Sequence, residues 1–137
     1  MSEQKVTLQM IQEAQERLKG VAQKTGLSYS NSVSDLAGCK VYLKLENLQR
    51  TGSFKLRGAY NKVASLTPAE REKGVIAASA GNHAQGVALA ASEYGCQSVI
   101  CMPKHAPLSK IAATKGYGAN VVLHATSSMK QQPKPLN

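Results

Sequence analysis

Two periods of apolar spacing run along the chain. Leu8, Ile11, Ala14 and Leu18 recur at helical spacing, which predicts a helix over residues 8–19 capped by Thr7 and stopped by Gly20. Residues 20–30 carry neither period and read as a loop. Asn31–Ala37 predicts a short helix closed by Gly38. Cys39–Glu46 then alternates, with Val41, Leu43 and Leu45 on one side and Tyr42, Lys44 and Glu46 on the other. That is the pattern of a strand with one wetter face. Asn47–Gly52 is a polar turn, and a helix is predicted from Ser53 to about Leu66. Thr67-Pro68-Ala69-Glu70 has the form of a capping box with proline at the first helical position, and its short helix stops at Gly74.

Beyond Gly74 one theme repeats. Val75–Ser79 is an apolar strand, Asn82–Tyr94 an alanine-rich helix ended by Gly95, and Gln97–Met102 a second apolar strand stopped by Pro103. Leu108–Tyr117 predicts a helix and Asn120–His124 a third strand. Apolar strands alternating with helices predict an α/β fold, an open parallel sheet with helices on both faces. Residues 125–137 hold Pro133 and Pro135, lack periodicity and read as a disordered tail. The expected organisation is therefore one domain over residues 1–124 and a tail over 125–137.

Composition narrows the function classes. There is no Trp and one Phe, so Ala, Val, Leu and Ile must fill the core. The net charge is +9, yet all eight acids fall in the first 93 residues, and residues 94–137 hold five lysines and no acid. Those lysines are dispersed, without arginine or interleaved aromatics, which argues against nucleic-acid recognition. No apolar run reaches membrane-spanning length, and the polar N-terminus has no signal-peptide core. Cys39, Cys96 and Cys101 lie in apolar segments and read as buried free thiols of a cytoplasmic protein. Cys96, Cys101 and His105 lack the spacing and the fourth ligand of a zinc site, so no metal is expected.

Two segments could carry chemistry. Ser79-Ala80-Gly81-Asn82-His83-Ala84-Gln85-Gly86 stands where an apolar strand hands over to a helix, the place where open parallel sheets bind ligands. The first-turn N–H groups and the helix dipole there favour a carboxylate or phosphate. Spacing alone favours the plainer reading, a strand-to-helix turn capped by Ser79 or Asn82. The loop is neither a Walker A sequence, since Val87 follows Gly86, nor a dinucleotide fingerprint. The second segment, Thr51-Gly52-Ser53-Phe54-Lys55-Leu56-Arg57-Gly58-Ala59, puts Lys55 at a helix start. The dipole and an expected burial there both disfavour its ammonium form, as imine chemistry requires. Taken alone, Lys55 reads more readily as a solvated surface lysine. His83, His105 and His124 announce no nucleophilic triad.

Together the two segments resemble the pyridoxal-phosphate enzymes of the tryptophan-synthase-β type (fold type II), in the threonine/serine dehydratase branch. Ser53–Ala59 is similar to the family's lysine motif and Ser79–Ala88 to its asparagine loop. Lys44–Gly52 and Gly118–His124 also fit. The resemblance implies that Lys55 is the Schiff-base lysine and takes the Cα proton. It implies that Phe54 lies beside the cofactor ring and that Asn82 bonds the ring hydroxyl. Ser79, Ala80, Gly81, Asn82 and His83 would hold the substrate carboxylate. It further implies pyridoxal 5'-phosphate as cofactor, L-threonine or L-serine as substrate, a 2-oxo acid and ammonia as products, and a homo-oligomeric parent enzyme. Serine racemases of the family carry serine at the position of Ala80, so Ala80 favours dehydration over racemisation.

The family also places a run of four glycines beyond this region to cradle the cofactor phosphate, whereas this chain has no Gly-Gly pair. The expectation is the front part of a dehydratase with an unrelated end, as a frameshift or premature stop would produce. On its own the chain is expected to be inactive, a non-catalytic fragment or interaction module, because it lacks that phosphate cradle.

Overall fold

The computed structural model describes residues 5–124; the predicted tail over 125–137 lies outside the described residues. Helix α1 spans Leu8–Arg17, and the Thr7 hydroxyl accepts the N–H of Met10 at 3.2 Å, the capping role expected of it. Its apolar stripe is only partly used. Ala14 and Leu18 are half-buried, while Leu8 and Ile11 are exposed, Ile11 along an open groove shared with Lys24, Lys44 and Arg57.

Residues 20–30, read as a loop, contain a short strand β1, Leu27–Tyr29. Helix α2, Asn31–Ala37, follows with Ser30 as its cap, and Gly38 closes it at φ +67°. The long alternating strand expected over Cys39–Glu46 is only β2, Tyr42–Lys44, antiparallel to β1 with Tyr29 opposite Tyr42. Both strands are exposed, so alternation here reports a two-stranded ribbon and not a sheet packed on the core. Cys39, expected to be buried, is exposed, whereas Cys96 is buried.

Helix α3 is Lys55–Ala64, inside the predicted limits, and α4 is Pro68–Glu72. The capping box of α4 has both arms: the Thr67 N–H donates to Glu70 Oε2 at 2.7 Å, and the Glu70 N–H donates to Thr67 Oγ1 at 3.3 Å. The remaining elements are β3 (Val75–Ala78), α5 (Asn82–Glu93), β4 (Ser98–Pro103), α6 (Leu108–Gly116) and β5 (Asn120–His124). The three strands form a parallel sheet in the order β3-β4-β5, with Ala77 opposite Ile100 and Ile100 opposite Val121.

The core sits between this sheet and α5. Val75 and Ala77, Ile100 and Met102, and Val121 are alternate residues of one sheet face, and they pack with Ala84, Val87 and Ala88 of α5 and Ile111 of α6. On the opposite face Ile76 and Val122 are exposed. Helix α3 lies on the far side of α5, where Leu56, Tyr60 and Val63 meet Leu89 and Ala90. Small residues allow this close layering. Eight consecutive residues of α5, Ala84–Ala91, are buried because neighbours press on it from both sides.

Candidate functional site

The site is assembled from the N-terminal ends of α3 and α5. Lys55 is the first residue of α3. It is exposed, which corrects the expected burial. Its Nζ lies 5.1 Å from the centroid of the Phe54 ring, and Phe54 is itself exposed. Ser79 is the residue after β3. Its hydroxyl oxygen accepts the N–H groups of Gly81 and Ala84, both at 3.3 Å, and so fixes the turn into α5. Ala80 is exposed, Gly81 half-buried, and Asn82 and His83 are the exposed first residues of α5. The first-turn N–H groups of Asn82 and His83 have no acceptor within the helix.

Gly86 joins the two segments. A Cβ placed on it would stand 3.1 Å from the Lys55 carbonyl oxygen and 3.2 Å from the Lys55 carbonyl carbon. Helix α5 therefore rests directly on the backbone of the residue that carries the amine. Any side chain at this position must push the Lys55 backbone aside by a few tenths of an ångström.

Behind the site, three side chains of the Lys44–Gly52 segment grip the loop over residues 23–25. The Lys44 ammonium donates to the Thr25 carbonyl. Gln49 brackets Gln23, accepting its N–H at 3.1 Å and donating to its carbonyl at 2.7 Å. Glu46 accepts the Thr25 hydroxyl at 2.7 Å and a two-pronged contact from Arg57 of α3 at 2.8 and 2.9 Å. Sequence reasoning placed Lys44 and Glu46 on the wet face of a strand and missed this bracket, whose partners lie far away in the chain.

The Arg57 hydrogen bond, aided by that of Thr25, holds the Glu46 carboxyl down to about 2 against an ordinary 4.5. A depressed acid stabilises the fold above its unfolded pKa and loses that contribution as pH falls through the folded value. Glu46→Gln should therefore lower stability by about 1–2 kcal/mol at neutral pH, since a charge-assisted pair is lost. The difference from wild type should shrink between pH 4.5 and 2. Thermal melts of both proteins across that range check this; a difference that stays constant down to pH 2 would contradict it.

The donor set fits an anionic aldehyde cofactor. Lys55 offers an amine, Asn82 a side-chain amide and α5 its first-turn N–H groups, and neither Ser53–Ala59 nor Ser79–Gly86 contains an acid. The buried side-chain polar atoms without a partner among the described residues are Thr51 Oγ1, just before Ser53–Ala59, and Gln85 Nε2, within Ser79–Gly86. Orphaned buried polar atoms mark places where a ligand or water completes the bonding.

Comparison with known proteins agrees with this reading. The family model described as "Pyridoxal-phosphate dependent enzyme" matches residues 18–134. An L-threonine ammonia-lyase of Thermotoga maritima is 58% identical over 118 residues, which is 86% of this chain and 29% of that protein. Among solved structures, a serine racemase from Dictyostelium discoideum superposes with a TM-score of 0.83 at 40% identity, covering 90% of this chain and 40% of that one. The processed form of threonine deaminase isoform 2 from Solanum lycopersicum superposes with a TM-score of 0.73 at 42% identity, covering 88% and 36% respectively. The chain thus spans less than half the length of these relatives.

Proposed function

This chain belongs to the pyridoxal-phosphate-dependent enzyme family, and from that premise we propose that its site serves the dehydration and deamination of L-threonine, with L-serine as a secondary substrate. The observation that supports the reading is the close approach of α5, the helix that Asn82 opens, to the Lys55 backbone at Gly86. Lys55 would hold the cofactor through its amine and Asn82 would hold it through its amide. Phe54 would lie beside the ring. When bound, the cofactor supplies the electron sink for cleavage at the substrate Cα.

The chain's own residues do the rest. The first-turn N–H groups of α5, with the helix dipole behind them, hold the substrate carboxylate. Ser79 keeps its hydroxyl oxygen turned to Gly81 and Ala84, which holds those donors in line. The Lys55 amine, when free, would be the base that takes the Cα proton. Ala80 offers no group to return a proton from the opposite face. The net products are therefore a 2-oxo acid and ammonia, not the D-amino acid.

The test is a titration of the chain with pyridoxal phosphate, followed by addition of L-threonine. A visible absorption band and release of a 2-oxo acid are expected. No band at saturating cofactor, or D-amino acid as the main product, would sink the reading.

A second reading, a non-catalytic interaction module, is favoured by one observation. Ile76 is 78% exposed on the edge strand β3, next to open ladder groups. In that reading the partner is a second copy of the chain, and Ile76→Lys should abolish a concentration-dependent rise in sedimentation coefficient.

A further inference from the structure

Lys110 projects from α6 to the start of α5, where its ammonium donates to Asn82 Oδ1 at 2.8 Å. The two residues are 28 positions apart, so the bond also ties the two helices together at the site. Lys110 is half-buried, and among the described residues no carboxylate forms a salt bridge with it. Asn82 is thus the partner the structure gives this charge.

The chemistry of the pair is asymmetric. An ammonium has three donors and no acceptor, whereas a side-chain amide has one acceptor oxygen and one donor nitrogen. Only the oxygen of Asn82 can face Lys110. The amide cannot flip without setting donor against donor, so its N–H pair is turned away from α6. The adjacent positive charge also polarises the amide and strengthens those N–H groups as donors.

We propose that Lys110 is a positioning residue that locks the Asn82 amide with its N–H groups toward the cofactor, so that the site favours an ionised ring oxygen over a protonated one. This rests on the reading of Asn82 as a cofactor contact. It adds a role for a residue that neither motif contains. A ring oxygen held as an acceptor stays deprotonated to lower pH, and the absorption of the bound cofactor reports that proton.

The test has two arms. In the first, without cofactor, the Asn82 side-chain amide is followed by nuclear magnetic resonance in wild type, Lys110→Met and Lys110→Arg, and assigned with Asn82→Ala. The amide pair should shift in Lys110→Met and keep nearly its wild-type position in Lys110→Arg. An unmoved amide in Lys110→Met overturns the proposal.

The second arm is a cofactor titration of wild type, Lys110→Met, Asn82→Ala and the double variant. Lys110→Met should weaken retention about tenfold, as loss of a charge-assisted bond does, and raise the pH at which the bound cofactor's absorption changes. The double variant should be no weaker than Asn82→Ala alone. Losses that multiply in the double variant, or a Lys110→Met titration identical to wild type, overturn the proposal. A wild-type chain that retains no cofactor instead overturns the reading of the whole site, and the resonance arm then decides the Lys110–Asn82 lock by itself.

Discussion

Gly86→Val should destabilise the chain by about 2–3 kcal/mol, the range for forcing atoms into a filled core. The site's own contacts explain why. The first atom added already meets the Lys55 carbonyl oxygen at 3.1 Å and Ala59 Cβ at 3.3 Å, and valine adds two further methyls at this buried position. Gly86→Ala is the informative contrast. It gains about 1 kcal/mol in helix propensity over glycine but presses on the same carbonyl, so its stability should stay near wild type while Lys55 is displaced. Thermal melts measure the first effect and cofactor titration the second. The account expects Gly86→Ala to lose cofactor retention without a matching loss of stability. Valine tolerated at wild-type stability would mean that α5 does not seat on Lys55.

Lys55→Ala should abolish both the cofactor-dependent absorption band and any release of 2-oxo acid from L-threonine, a fall of at least about a thousandfold for loss of a nucleophilic group. Lys55→Arg should not rescue either signal. A guanidinium keeps the positive charge at the start of α3 but stays protonated at any working pH, so it cannot supply a neutral amine. If arginine restored the band, the residue would be acting as a simple charge. Because Lys55 is exposed, neither substitution should lower the melting temperature by more than a few degrees, which separates chemical loss from unfolding.

The part of the fold from Val75 onward was legible because each element there is bounded by local chemistry. Gly74 and Gly95 take left-handed φ values of +78° and +60°, and Pro103 marks the end of β4. Apolar runs of strand length between such signals leave few alternatives. The front of the chain was less legible. Strand β1 has three exposed residues, and only its pairing partner distinguishes it from a loop. The alternation over Cys39–Glu46 overstated β2 because Val41 and Leu45 lie outside the paired residues and Glu46 opens a short 3-10 turn.

The site divides the same way. Lys55, Ser79 and Asn82 stood out by residue type at element boundaries. The Glu46–Arg57 clamp, the Gln49 bracket and the Lys110–Asn82 bond did not, because each joins side chains or backbone atoms that only tertiary folding brings together. The expected burial of Lys55 failed for a related reason. A helix start can be read from sequence, but how much of its surface is covered depends on elements elsewhere in the chain.

The most direct test of the central claim is chemical trapping. The chain is incubated with pyridoxal phosphate, reduced with borohydride, digested and mapped by mass spectrometry. One dominant pyridoxyl-modified peptide is expected, carrying the adduct on Lys55, at cofactor concentrations where the other lysines stay unmodified. An adduct spread evenly over the chain's surface lysines, or concentrated on any lysine other than Lys55, would contradict it.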